Sequence, residues 1–261
     1  MASKDALKRV LAHLKEGRIL GVASSRNEKS SASIWKPDVI KSTALKYRSY
    51  NPSLTKDDFN NLEPSALFDS KPLNGTDFEL IKCRDPKFFQ FKDQYVLLFN
   101  DHNSMVKYMQ NTSSGSINHV RVKFLPLRMG DMTGINYMNY VHNLLAAYDS
   151  SESYFDMVKR KRDPIGDLDL HELTQIAQPF EEKSALIWDL PLETKPIHVM
   201  DKFWFYDIKH CFKLYWDHTT GRTLYYVAFN EAQDCAKFRR NLHGCRLEGL
   251  PRKLLIDQLK G

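Results

Sequence analysis

The chain has 261 residues, of which 42% are hydrophobic and 27% are charged, and this composition excludes an intrinsically disordered protein. The length allows one or two globular domains. No apolar run approaches the roughly 20 residues that a membrane-spanning helix needs.

The net charge of +6 is unevenly distributed along the chain. Residues 1–50 carry +7 and residues 212–261 carry +4, whereas the segment between them carries −5. Basic ends favour an anionic partner such as a nucleic acid, and solvated surface charge explains the same counts equally well. The four cysteines form no C-x-x-C pair, which indicates a reducing compartment; we expect neither a metal site nor another cofactor.

The N-terminal segment, residues 1–42, predicts a basic amphipathic helix followed by a flexible connector. In "MASKDALKRVLAHLKEGRILG" the leucines line one face and the lysines the rest, and residues 22–42 are rich in Ser and charge. Such a helix is typical of a mitochondrial transit peptide, and an ordinary surface helix has the same pattern.

Residues 43–128 predict a first domain with the element order β-α-β-β-α-β. The strands are expected at residues 44–50, 77–85, 94–101 and 118–127, and the helices after Thr55 and at residues 102–112. Residues 129–182 then show helical spacing twice, which predicts a helical connector whose second helix is capped by Asp167.

Residues 183–261 repeat the order of the first domain. Strands are expected at residues 184–191, 210–221, 222–230 and 252–259, and helices at residues 195–207 and 231–244. The duplication predicts an α+β protein made of two ferredoxin-like β-α-β-β-α-β units joined by a helical connector.

Strand alternation assigns the residues of the second unit to two faces of its sheet. It places Tyr225, Val227 and Phe229 against the helices, and it places Phe212, Leu214 and Trp216 there as well. The opposite, open face then carries an RNA-binding platform of three aromatic rings and two cations: Trp188, Tyr215, Tyr226, Lys213 and Arg222. Alternatively, these rings cover a hydrophobic patch docked on the connector or on a protein partner.

The first unit predicts a cationic face whose third strand offers no aromatic ring. The outward positions of its first and last strands hold four cations, namely Lys46, Arg48, Arg121 and Lys123. Gln94, Val96 and Leu98 face outward on the third strand. Such a face grips phosphates and does not stack bases, and an ordinary charged sheet face is the alternative.

The second unit resembles an RNA recognition motif (RRM). Its octameric signature is "RTLYYVAF" and its hexameric signature is "LIWDLP". Several longer strings, "LKYRSYNPSL", "RDPKFFQFKDQYVLLFNDHNS", "INHVRVK", "DKFWFYDIKHCFKLYWD" and "FRRNLHG", resemble a family of budding-yeast mitochondrial translational activators. That family activates translation of the messenger RNA for cytochrome c oxidase subunit III.

The resemblance implies a protein of the mitochondrial matrix, attached peripherally to the matrix side of the inner membrane. It implies binding to the 5′ untranslated leader of the subunit III messenger and help in splicing a group I intron of the subunit I transcript. The implied partners are these leader and intron RNAs, the other subunit III activators and the mitochondrial ribosome.

No catalytic motif is present in the sequence. It contains no G-x-S-x-G, no glycine-rich phosphate loop and no H-E-x-x-H, so we expect no enzymatic activity. Two classes of function remain: an RNA-binding translational activator, and a scaffold that links translational activators at the inner membrane and binds no RNA.

Overall fold

Four-stranded antiparallel sheets occur twice in the part of the chain that is described. The computed structural model describes residues 42–63, 77–128, 131–160, 169–246 and 252–260. The predicted N-terminal helix and connector of residues 1–42 lie, apart from Ser42, outside these residues. All described residues belong to one compact unit.

The first sheet has the strand order β2-β3-β1-β6. Its elements are β1 (Ala44–Arg48), α1 (Lys56–Asn60), β2 (Phe78–Arg84), β3 (Phe91–Phe99), α2 (His102–Asn111), β4 (Ser116–Ile117), β5 (Val120–Arg121) and β6 (Leu125–Pro126). Asp101 begins α2 because its carboxylate accepts a hydrogen bond from the backbone N–H of Ser104.

The prediction of one strand over residues 118–127 is wrong. Asn118 and His119 both have positive φ, and they form the two-residue turn of a separate hairpin between β4 and β5. The strand beside β1 is the short β6, whose Leu125 pairs with Lys46.

In the described part of residues 129–182, three helices follow the first sheet and form the connector. They are α3 (Met132–Asp149), α4 (Ser151–Lys159) and α5 (Leu170–Glu182). Ser150 separates the first two in an extended conformation and caps α4 through the N–H of Ser153. The predicted cap of α5, Asp167, lies outside the described residues, and Asp169 accepts the capping hydrogen bonds instead.

The second sheet has the strand order β10-β7-β9-β8, which is the ferredoxin-like order of the first sheet. Its elements are β7 (Ser184–Trp188), α6 (Pro196–Lys202), β8 (Ile208–Asp217), β9 (Arg222–Phe229), α7 (Ala232–Leu242) and β10 (Leu255–Gln258). The predicted fold class, two ferredoxin-like units joined by a helical connector, is therefore confirmed.

Among the residues that the structure describes, the buried ones form three clusters. One lies between the first sheet and α1 and α2, and includes Phe59 and Tyr108. Another lies between the second sheet and α6 and α7, and includes Phe238. The third combines the opposite faces of both sheets with α3, α4 and α5, so the connector helices cover much of both faces.

No helix within the described ranges is long and apolar enough to cross a bilayer.

Candidate nucleic-acid interface

The face of the second sheet that was predicted to be open is largely covered by the connector. Tyr226 is 0% exposed, and its ring lies 5.6 Å from that of Phe89 and 5.3 Å from that of Phe212. Its hydroxyl hydrogen-bonds Ser184 Oγ at 2.7 Å, and burial raises the pKa of the phenol. The predicted exposure of Tyr226 is wrong, because a face this apolar is buried against the connector instead of facing water.

The predicted faces of β8 are also partly wrong. Phe212 pairs directly with Tyr226 and packs under the connector with Leu214, whereas Trp216 is exposed. Irregularities between Ile208 and His210 and between Lys213 and Tyr215 break the two-residue alternation on which the prediction relied.

Lys213 lies on the opposite face from the one predicted. It pairs with Tyr225, and its ammonium lies 5.7 Å from the centroid of that ring and donates to the carbonyl oxygen of Leu192. Lys213 therefore does not flank Tyr226.

At one corner of the second sheet, part of the predicted platform remains partly exposed at the margin of the cluster that the connector forms. Trp188 is half-buried, Tyr215 is 44% exposed, and both residues pair with Leu224 across the strands. Arg222 is exposed at the start of β9. Phe88, which the sequence analysis did not select, packs edge-on against Tyr215 with ring centroids 6.0 Å apart.

The four cations predicted on the first unit lie together around one concave surface. A cavity of about 400 Å³, hereafter the basic cavity, is lined by Lys46, Tyr47, Arg48, Gln94, Val120, Arg121, Lys123 and Leu125. Leu45 and Tyr47 face α1 and α2, so alternation along β1 directs Lys46 and Arg48 to the other side, as predicted. Arg121 and Lys123 approach from the β4–β5 hairpin and the segment after it.

Only part of this face is open. Val96 and Leu98, which were predicted to face outward beside Gln94, lie on that side of β3 but are buried under the connector. The predicted exposure of Val96 and Leu98 is wrong for the same reason as that of Tyr226, because the connector covers this apolar part of the sheet. Gln94 lies at the edge of the area that the connector covers. Its amide nitrogen donates to Thr133 Oγ1, in the first turn of α3, at 3.2 Å.

The cations of the basic cavity differ in how they are held. Arg48 lies 5.5 Å from the ring centroid of Tyr50 and donates to its hydroxyl, and Tyr50 is among the most exposed aromatic residues described. Arg121 donates to the carbonyl oxygen of Ser113 and stays exposed, as does Lys123. Tyr50 was not predicted as a site residue, although the strand expected over residues 44–50 alternates it onto the same side as Lys46 and Arg48; β1 ends at Arg48, before Tyr50.

Lys46, on the wall of the basic cavity, pairs with the carboxylate of Asp131. Burial would raise the pKa of Asp131, but hydrogen bonds from Lys46 and from Thr133 outweigh burial and hold the pKa below its usual value. Asp131 was also missed, although an Asp just before a helical pattern is a recognisable N-cap signal.

The described residues contain no group of three or more His, Cys, Asp or Glu side chains that could hold a metal ion.

The fold and the surface define a class: a protein with two ferredoxin-like units, a helical connector that buries their sheet faces, and an open basic cavity on the first unit. The model of the PET54 N-terminal domain family matches residues 41–142. Protein PET54 of Saccharomyces cerevisiae is 40% identical in an alignment of 274 positions that covers 100% of this chain and 92% of the relative. Protein PET54 of Saccharomyces bayanus is 39% identical, over 96% of this chain and 91% of the relative.

The chain therefore belongs to the PET54 family. Among solved structures, the third RRM domain of Mip6 is 18% identical with a TM-score of 0.27, and it covers 30% of this chain and 93% of its own. A Sxl-lethal protein in complex with RNA is 12% identical with a TM-score of 0.26, over 83% of this chain and 99% of its own. At these TM-scores the likeness carries no argument about function.

Proposed function

We propose that this chain is a non-catalytic RNA-binding protein of mitochondrial translation, and that it holds single-stranded RNA at the basic cavity of the first unit. One observation carries the proposal: Lys46, Arg48, Arg121 and Lys123 converge around one open surface. A cavity of about 400 Å³ lies in the size range of ligand sites, and cations on its wall match the phosphates of a nucleic acid strand.

The surroundings of the basic cavity favour a single strand over a duplex. Tyr50 offers an exposed ring beside Arg48, and Val120 and Leu125 add exposed apolar side chains on the wall. Unpaired bases stack on an exposed ring such as that of Tyr50 and contact apolar side chains beside it, whereas the bases of a duplex are already stacked on one another. Trp188 and Tyr215 supply a second stacking corner on the other unit, with Arg222 at its edge.

Membership of the PET54 family and the sequence resemblance described above support the proposed biological role. The proposed RNA is the leader of the cytochrome c oxidase subunit III messenger, with the group I intron of the subunit I transcript as a second target. The proposed partners are the other subunit III activators and the mitochondrial ribosome. The proposed location is the matrix side of the mitochondrial inner membrane, and the proposed domains are residues 43–128 and 183–261 with the connector 129–182 between them.

A titration of fluorescein-labelled subunit III leader RNA, followed by anisotropy at several salt concentrations, tests the proposal. The cavity variant replaces Arg48, Arg121 and Lys123 by Gln. Each phosphate contact with a single strand contributes about 0.7 to the slope of log K against log salt. The loss of three cations should therefore make the slope shallower by about 2.

The matched control replaces three exposed cations outside the basic cavity, Lys107, Lys202 and Arg240, by Gln. It removes the same charge and should bind with nearly the wild-type slope. Equal weakening by both variants would mean that the net charge, and not the cavity, attracts the RNA.

A scaffold function is the second candidate, and one observation favours it. Trp204 and Phe205 follow α6 with exposures of 78% and 58%, and such rings are typical of contacts with other proteins. If wild-type protein shows no RNA binding at the lowest salt concentration, the RNA proposal is wrong and the scaffold becomes the preferred function.

A further inference from the structure

An ion pair joins the basic cavity to the connector, beside the hydrogen bond between Gln94 and Thr133. Lys46 donates from its ammonium to Asp131 Oδ2, and the two side chains are 25% and 21% exposed. The other carboxylate oxygen of Asp131 accepts from the backbone N–H and from the hydroxyl of Thr133, both at 3.0 Å. Asp131 thus acts both as the N-cap of α3 and as the anion that neutralises Lys46.

A carboxylate and an RNA phosphate compete for the same ammonium, since both accept charge-assisted hydrogen bonds from it. We propose that Lys46 exchanges Asp131 for a phosphate when RNA enters the basic cavity, so that Asp131 is a built-in competitor that sets the RNA affinity. This inference rests on the proposed function and adds a determinant of affinity that belongs to the connector and not to the RNA-binding wall.

Three features make the exchange feasible. The ion pair is partly exposed, and such pairs contribute little, so a phosphate displaces the carboxylate at small cost. Arg48, Arg121 and Lys123 line the same cavity, so a polyanion gains several contacts where Asp131 has one. After the exchange, Asp131 keeps its hydrogen bonds from Thr133, and its charge remains favourable at the N-terminus of α3.

The substitution Asp131→Asn removes the competing charge and keeps the cap, because Asn is as good an N-cap as Asp. The matched control is Asp101→Asn, which makes the same change at the N-cap of α2, a helix that packs on the opposite face of the first sheet. Both variants raise the net charge by one, so any difference between them reports on the contact with Lys46.

The assay is the anisotropy titration with leader RNA, and circular dichroism checks that each variant is folded. Asp131→Asn should bind about two- to fivefold more tightly than Asp101→Asn, the range that corresponds to the strength of an exposed ion pair. Lys46→Met should make the salt slope shallower by about 0.7, because one phosphate contact is lost. When Lys46→Met is also present, Asp131→Asn should increase the RNA affinity no more than Asp101→Asn does.

The outcomes separate the inference from the function on which it rests. If the wild-type protein binds no RNA, both are overturned. The exchange alone is overturned by either of two results in a protein that binds RNA and whose cavity variant binds it more weakly. The first is that Asp131→Asn and Asp101→Asn have the same RNA affinity. The second is that Lys46→Met leaves the salt slope unchanged. A gain from Asp131→Asn that persists without Lys46 overturns the exchange as well.

Discussion

Arg84→Met removes a buried cation that joins the two units. The Arg84 side chain is 0% exposed, and it donates to Asp257 Oδ2 at 2.7 Å, to Phe89 O at 2.9 Å, to Gln258 O at 3.0 Å and to Leu259 O at 3.1 Å. Arg84 belongs to β2 of the first sheet, whereas Asp257 and Gln258 belong to β10 of the second sheet. The substitution therefore leaves a largely buried carboxylate with a weaker partner, and it leaves three carbonyl oxygens without this donor.

Breaking a buried ion pair from one side costs about 3–5 kcal/mol. Lys82 remains 3.7 Å from Asp257 and offsets part of this loss, so we expect the free energy of unfolding to fall by about 3 kcal/mol. Urea unfolding followed by circular dichroism measures the change as a lower midpoint with an unchanged slope. Arg48→Met is the control: its side chain is exposed, and we expect a change below about 0.5 kcal/mol.

A double-mutant cycle with Asp257→Asn isolates the contribution of the pair. The double variant should be less destabilised than the two single losses predict, by at least about 1 kcal/mol, because the second substitution removes the charge that the first left without its main partner. A loss below about 1 kcal/mol for Arg84→Met, or additive losses in the cycle, would refute the view that this contact holds the two units together.

Two further predictions concern buried groups and use the same unfolding assay. Tyr226→Ala should lower the free energy of unfolding by about 3–5 kcal/mol. Tyr226→Phe loses only the hydrogen bond with Ser184 and should lower it by about 1 kcal/mol. Small losses for both variants would contradict the burial of Tyr226 under the connector. Burial, aided by the charge of Arg84, lowers the pKa of Lys82 to about 8. The unfolded chain then holds this proton more tightly, so the unfolding free energy should rise by up to about 3 kcal/mol between pH ~8 and ~10, and Lys82→Met should remove that rise.

The order of the elements could be predicted from the sequence because it depends on local patterns. Alternation along β9 correctly assigns Tyr225, Val227 and Phe229 to the side of α6 and α7, since successive side chains of a strand point to opposite faces. The pattern fails where the backbone is irregular, as at the bulge after Lys213 and at the positive-φ turn of Asn118 and His119.

What covers the second face of each sheet could not be predicted in this way. Leu224, Tyr226 and Ala228 alternate with the residues that face the helices, and nearly the whole of β9 is apolar. A continuous apolar strand indicates burial on both faces, but the sequence left an open RNA-binding face, the connector and a protein partner as alternatives. Here the cover is the connector, with helices that pack on both sheets at once.

The sequence by itself determined two ferredoxin-like units and the side of β1 on which Lys46 and Arg48 lie, because a strand's alternation is local. Only the tertiary structure decided that the aromatic face became an intramolecular core and that Asp131 reaches Lys46. Both features require segments far apart in sequence to meet, and apolar surface is buried by whichever segment packs against it.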